Sequence, residues 1–266
     1  NTTANSNVAI GTESLDVNTT GADNTAVGTN ALGANTTGAQ NVAIGSSSLA
    51  ANTIGDQNVA IGQNSLDSNT EGQKNVAIGF KALCTNTTAD QVVAVGCGAL
   101  ISNTTGANNV AVGSLSLEGT TTGSDNTAAG PASGLSLTTG SNNLLLGHDA
   151  GRSNSPNTIT TGSDRIVLGN NSITNAYIRV DWTVTSDLRD KMNIEPISHG
   201  LDFVNQLNPI KFNFKKSREN ATSHGRKKYG FKAQDILALE GEDNVIIDNE
   251  DPNSLKYIGS HLVPVL

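Results

Sequence analysis

The sequence predicts a mostly β protein, a parallel β-roll of 17-residue repeats followed by a small α+β domain. Three observations carry that expectation. A glycine returns every 17 residues, at Gly11, Gly28, Gly45, Gly62, Gly79, Gly96, Gly113, Gly130 and Gly147. A triplet of branched, small and branched side chains stands before most of these glycines, as in Val42-Ala43-Ile44 and Val59-Ala60-Ile61. Eight of the nine aromatic residues lie after residue 150, Phe80 being the exception, so the two halves cannot share one kind of core. A fixed period of this length means stacked coils that contact only their neighbours, rather than a globular interior.

The triplet is the strand of each coil, because alternation with period two places its outer members on one face. The branched pairs Val8/Ile10, Val42/Ile44, Val59/Ile61, Val76/Ile78 and Val110/Val112 are expected to join the leucines in a narrow continuous core. The alanines between them would then form a small outer face that lets chains approach closely. Leucine follows four residues after the glycine, at Leu15, Leu32, Leu49, Leu66, Leu83, Leu100 and Leu117, on the return of the coil. A second glycine ten residues after the first, preceded by Asn-Thr-Thr or a close variant, supplies the turn. Asn7, Asn24, Asn41, Asn58, Asn75, Asn109, Asn126 and Asn143 share one place in the repeat and should stack as an amide ladder. Arg165 to Gly169 reads as a tenth strand, displaced by five residues. At roughly 4.8 Å per coil, the nine regular coils give a rod of about 40 Å.

Charge and composition bound the functions. The net charge of −8 resides on residues 1–150, where ten acidic side chains face only Lys74 and Lys81. An acidic rod repels nucleic acid and anionic membrane. No apolar run is long enough to span a membrane, and no charged-then-apolar signal pattern is read in these residues. Starting at Asn1 without methionine, the chain reads as a fragment or a processed product. Cys84 and Cys97 stand without any Cys/His cluster, so no metal and no cofactor is expected, and the pair is read as two packed thiols in preference to a disulfide between adjacent coils. The Asn-Thr-Thr triplets at Asn18, Asn35, Asn86 and Asn103 match a glycan acceptor pattern but are read as a repeated turn. With a single aromatic, the rod reads as a spacer.

Residues 151–185 form a neck, and the C-terminal domain covers 186–266. Thr185 to Ile194 begins it, and by spacing alone Ser186 is a helix N-cap with Asp187 in the first turn. Ser198 could cap a helix carrying Leu201, Val204 and Leu207 and stopped by Pro209. Ile210 to Phe214 alternates as a strand, Lys215 to Lys228 reads as a solvated basic loop, Asn244 to Asp248 is a strand, and Ser260 starts a helix. The basic stretch shows no interleaved aromatics, which leaves nucleic acid out of the expected partners. His199, His224 and His261 show no spacing that suggests a triad.

Two resemblances sharpen this reading. The Asn-x-Val-Ala-Ile-Gly strands resemble the head repeats of trimeric autotransporter adhesins and similar repeats in viral fibres, which implies a β-roll in which three chains pack side by side. Ser186, Asp187, Arg189, Lys191 and Ile194 fit Ser-Asp-x-Arg-x-Lys-x-x-Ile, and Gly230, Phe231, Ala233 and Gln234 fit Gly-Phe-x-Ala-Gln. In this order they resemble the endosialidase-type intramolecular chaperone of phage tail spikes and fibres. That resemblance implies a homotrimer in the virion, a domain that guides the upstream fibre to fold, and a self-cleaving serine peptidase. It makes Thr185–Ser186 the scissile bond, Ser186 the nucleophile and Lys191 the general base. Asp187 and Arg189 would make structural ion pairs, and Phe231 and Gln234 would pack, with Gln234 also a candidate donor to the oxyanion. A fibre of this kind implies a host surface receptor, glycan or protein. The family's terminal coiled coil would follow Leu266. The rival readings are a bacterial surface adhesin head and a chaperone domain that assembles without cutting.

Overall fold

The computed structural model describes residues 4–152, 158–173, 176–177, 192, 200–215, 222–241, 246–248 and 255–257. The chain divides into two compact units, Asn1–Ile173 and Thr174–Leu266.

The first unit is a parallel β-solenoid. Its ten three-residue strands are β1 (Val8–Ile10), β2 (Thr25–Val27), β3 (Val42–Ile44), β4 (Val59–Ile61), β5 (Val76–Ile78), β6 (Val93–Val95), β7 (Val110–Val112), β8 (Thr127–Ala129), β9 (Leu144–Leu146) and β10 (Ile166–Leu168). They form one sheet in sequence order. Each residue pairs with its equivalent one coil on, as in Val42 with Val59 and Ile44 with Ile61. The displaced tenth strand pairs in the same way, Ile166 with Leu144.

The core differs from the sequence expectation in one respect that matters. The alanines at the strand centres point inward, and Ala26, Ala43, Ala60, Ala77, Ala94, Ala111 and Ala128 are fully buried. The branched residues flanking them point outward: Ile44 and Val112 are at least 40% exposed and Ile10 is 59% exposed. The interior is too narrow for a branched residue on the strand, because leucine from the return segment already fills it. Leu32, Leu49, Leu66, Leu83, Leu100 and Leu117 are all fully buried.

These leucines adopt left-handed backbone, with φ between 50° and 53° from Leu15 to Leu117. That conformation costs about 1–2 kcal/mol per residue. Burying a leucine side chain returns about 1.5–3 kcal/mol, so leucine beats the glycine that would relax the backbone. The periodic glycine has no such choice. Gly62 has φ 133°, and a Cβ there would lie 2.5 Å from the Gly79 carbonyl oxygen of the next coil.

Coils eight and nine exchange volume between two positions. The leucine place is taken by Gly134 and Gly151, and the strand centre becomes Leu145, fully buried. A Cβ at Gly134 would meet the Leu145 side chain at 2.7 Å, so the leucine on the strand occupies the space that the glycine vacates.

Two asparagine rows run through the core. In the row named from the sequence, the side chains bond mainly to backbone. The Asn24 amide N–H donates to Asn7 Oδ1 at 2.9 Å, and Asn24 Nδ2 donates to the Gly38 carbonyl. In its last coils this row also bonds amide to amide as expected, Asn126 Nδ2 donating to Asn109 Oδ1 and Asn143 Nδ2 to Asn126 Oδ1; the longer amide-to-amide ladder is the other row, Asn18, Asn35, Asn52, Asn69, Asn86 and Asn103. From Asn35 on, each Nδ2 in it donates to the Oδ1 one coil before, at 2.8–3.1 Å. Asn18, Asn35, Asn86 and Asn103 are buried, so the Asn-Thr-Thr triplets are structural turns, as expected, and no glycan can be carried there in the folded solenoid.

The second unit contains α1 (Leu201–Gln206), β11 (Ile210–Lys215), β12 (Ser223–Gly230), α2 (Ala233–Glu240), β13 (Ile247–Asp248) and β14 (Lys256–Tyr257). β11 pairs with β12 and β13 with β14, both antiparallel. Its small core is Phe203, Ile236, Ile246 and Ile247, with Leu207, Phe231, Ala233, Leu237, Leu239 and Leu255 packed against it. Two local readings change. The N-cap of α1 is Gly200, with no side-chain capping bond, and the expected cap Ser198 lies outside the described residues. The stretch read as a loop is partly strand, since Arg226, Lys227 and Lys228 lie on β12. The expected helix start at Ser260 lies outside the described residues.

Candidate functional site

Thr185, Ser186, Asp187, Arg189, Lys191 and Ile194 lie outside the described residues. What the structure describes is the scaffold that follows them. β12 ends at Gly230, which stands against the Phe212 ring: a Cβ there would be 3.2 Å from a ring carbon. Phe231 then turns inward and packs on the Phe203/Ile236/Ile246/Ile247 cluster. Ala233 opens α2 and packs on the same cluster, and Lys232 Nζ pairs with Asp235 Oδ2 at 3.1 Å across the first turn. Three of the four matched positions of Gly-Phe-x-Ala-Gln are therefore explained by packing. Gln234 is not, because it is exposed on the first turn of α2. The expectation that it packs does not hold; its amide faces outward, free to meet a partner group.

Glu240 was not singled out by the sequence reading. It is 4% exposed at the end of α2, and its carboxylate accepts the backbone N–H groups of Ile246 at 2.5 Å and Ile247 at 3.1 Å. These bonds tie α2 to the start of β13. The available signal was an acidic residue in the last turn of a helix, where the dipole disfavours it.

A cleft of about 540 Å³ lies between α1 and α2, lined by Gly200, Leu201, Asp202, Phe203, Gln206, Ala238 and Leu239. Among the described lining residues Asp202 is the one ionisable group, so these residues hold no nucleophile paired with a base.

In the solenoid, Cys84 and Cys97 are free thiols, Cys84 half-buried and Cys97 exposed. Burial pushes the Cys84 thiol pKa up; nearby Asp67 adds to the rise and Lys81 opposes it. Phe80, the one aromatic of the repeats, is half-exposed with Lys81 Nζ 5.4 Å from the ring centroid. Among the described residues no group of three His, Cys, Asp or Glu side chains converges on a metal position. Among them also, no helix is long and apolar enough to cross a membrane.

Against known proteins, residues 186–246 match the family model of the chaperone of endosialidase, Peptidase_S74. The matched segment begins at Ser186 and takes in both motifs, α1, the β11–β12 ribbon and α2. No curated protein and no solved structure matches the chain.

Proposed function

We propose that the chain is a phage fibre or spike segment whose C-terminal domain drives three copies to assemble and fold, and then cuts itself off before Ser186. The observation that carries this reading is the chaperone-of-endosialidase match over 186–246, joined to a parallel solenoid of 17-residue coils.

The solenoid surface supports the need for assembly. Two branched apolar side chains per coil face outward along most of the ten strands, a stripe of some 40 Å at about 4.8 Å per strand. An apolar stripe of this length, interrupted at Thr127 and Ala129 of β8, marks an interaction face. Its natural occupant is the same stripe on another copy, since only an identical chain matches its spacing coil for coil. Alanine faces do not bring the chains together, as the sequence had suggested; the Val/Ile faces do.

The cleavage chemistry rests on Ser186 and Lys191. A serine hydroxyl attacks only when a base takes its proton, and lysine serves when burial lowers its pKa. In the proposed reaction, Ser186 Oγ attacks the Thr185 carbonyl carbon while Lys191 Nζ takes the hydroxyl proton. The Thr185–Ser186 C–N bond breaks, and the proton passes to the departing α-amine. The Thr185–Oγ ester that forms is hydrolysed by water, leaving a Thr185 carboxylate and a new N-terminus at Ser186. The attacking group is on the residue next to the bond, so proximity is built in. Burial of Lys191 on assembly would couple cutting to correct folding. Asp187 and Arg189 hold the segment by ion pairs, and the exposed Gln234 amide is a donor available to the oxyanion.

Mass spectrometry and N-terminal sequencing of freshly expressed protein test this. A product beginning at Ser186, absent from Ser186→Ala and Lys191→Ala, is the expected result. An intact parent chain in a proven trimer overturns the peptidase and leaves a chaperone that assembles without cutting.

A further inference from the structure

Hydrogen bonding between coils changes at the end of the solenoid. In the regular coils the residue two after the periodic glycine donates its N–H to a carbonyl one coil before, as Asn64 does to Ser46, Leu115 to Cys97 and Asp149 to Pro131. Coil ten breaks the pattern. The Gly169 N–H still reaches the Leu146 carbonyl, at 2.7 Å. The next bond of the series, Asn171 N–H to the His148 carbonyl, is not made. Among the described residues, one hydrogen bond ties residues 170–173 to coil nine, and it runs between side chains: Asn170 Nδ2 stands 3.3 Å from His148 Nδ1.

The surrounding groups fix which partner donates. Asn170 Oδ1 accepts the Ser172 N–H at 2.9 Å, which turns the Nδ2 end of the amide towards His148. His148 Nδ1 must therefore accept, and it has a lone pair to do so only while the ring is neutral. Asp149 Oδ2 also lies 3.4 Å from Nδ1. That carboxylate is held in place: its side chain is 12% exposed, and its Oδ1 takes Arg152 Nη1 at 2.8 Å. Asp149 and Arg152 are the charged groups at His148. Coil eight presents Pro131 and Ala132 at the equivalent places, and coil ten presents Asn170 and Asn171. The imidazole is 63% exposed, so protons reach it.

From this geometry we propose that His148 is an acid-sensitive latch on the last turn of the solenoid. When neutral, Nδ1 accepts from Asn170 and pins residues 170–173 to coil nine. When protonated, Nδ1–H donates to Asp149 Oδ2, whose full charge makes it the stronger acceptor. A ring N–H then faces an N–H of Asn170. The Asn170 amide cannot turn over without setting Nδ2 against the Ser172 N–H, so the bond between coils is lost on either route. The contact needs the neutral ring: it is complete on the alkaline side of histidine titration and disappears as pH falls through it. The N–H of Ile173, the last residue of the first unit, bonds to the Asn170 carbonyl at 3.1 Å, so the turn follows Asn170. Acid thus loosens the end of the solenoid and spares the ten-stranded sheet, whose strands carry only Val, Ala, Ile, Thr and Leu.

Hydrogen–deuterium exchange of the full chain reads the latch at Ser172 and Ile173, the two amides that bond to Asn170. Mass spectrometry follows it at about pH 7.5 and about pH 5, a span that charges histidine and leaves carboxylates ionised, with times scaled to the intrinsic exchange rate at each pH. Protection in the peptide over residues 168–173 should fall roughly three- to tenfold at the lower pH, the worth of one hydrogen bond, while that over β9 stays constant. His148→Asn keeps an acceptor near the place of Nδ1 that does not titrate, and should hold the turn equally at both values. His148→Ala, which removes the acceptor and leaves the Asn170–Ser172 bond intact, should leave the turn open at both. Parent protection that is the same at both values, a pH response that survives in His148→Asn, or a His148→Ala turn as protected as the parent's near pH 7.5 overturns the proposal.

Discussion

Thr120→Asn should stabilise the solenoid. The buried amide ladder runs from Asn18 to Asn103 and stops there because the next coil offers Thr120. Asn103 Oδ1 is left buried without a hydrogen-bond partner. An orphaned buried acceptor costs about 1–3 kcal/mol. An asparagine at 120 would donate Nδ2 to Asn103 Oδ1 and also to the Gly123 carbonyl, repeating the pair that Asn52 makes with Asn35 and Gly55. Against this stands the loss of the Thr120 Oγ1 bond to the Leu137 carbonyl, 3.2 Å long and worth about 0.5–1.5 kcal/mol. The balance is a gain of about 1 kcal/mol, or roughly 2–4 °C in Tm for a unit of this size. Urea and thermal unfolding followed by far-UV circular dichroism read it directly. Thr120→Val, which removes the hydroxyl and adds no donor, should move the midpoint the opposite way. If Thr120→Asn unfolds at or below the parent's midpoint, the end of the ladder is not a point of unmet bonding and the argument fails.

Other outcomes follow from the same geometry. Gly62→Ala should cost more than about 3 kcal/mol or prevent folding, since its φ of 133° and the Gly79 carbonyl oxygen at 2.5 Å leave a Cβ no room; a cost under 1 kcal/mol would show that the coils can part. Ile61→Asp/Ile78→Asp should leave the solenoid's circular dichroism intact, because both side chains face outward, yet dissociate the assembly in light scattering; an unchanged mass would remove the Val/Ile stripe as the contact between chains. Lys191→Arg should block cleavage as fully as Ser186→Ala, because arginine does not release its proton near neutral pH; a cut Lys191→Arg chain would exclude Lys191 as the base. Iodoacetamide near pH 8.5 should alkylate Cys97 before Cys84, whose thiol is half-buried and pushed up by that burial; equal rates in mass spectra would contradict it.

The sequence by itself determined the solenoid's period, the place of every strand and turn, and the displaced tenth strand at Ile166–Leu168. A coil that stacks on its own copy must repeat each backbone requirement at one spacing, so the glycine and Asn-Thr-Thr positions report the backbone directly. It also placed the two motifs of the C-terminal domain and the strand at Ile210, which local alternation and residue identity specify. Tertiary structure decided which side of each strand is inside. Period two says that Val42 and Ile44 share a face and that Ala43 has the other, and it is silent on which face the coil encloses. That was settled by Leu49 and its equivalents, which reach the interior from left-handed backbone on the return segment and leave room only for a methyl group on the strand. The same closure made the row of Asn18 the longer amide-to-amide ladder, the row of Asn24 bonding in that way at Asn109, Asn126 and Asn143. In the second unit, pairing set Arg226 to Lys228 beside the β11 aromatics and buried Glu240 against Ile246 and Ile247. Those are contacts between segments distant along the chain, and no local pattern of side chains encodes them.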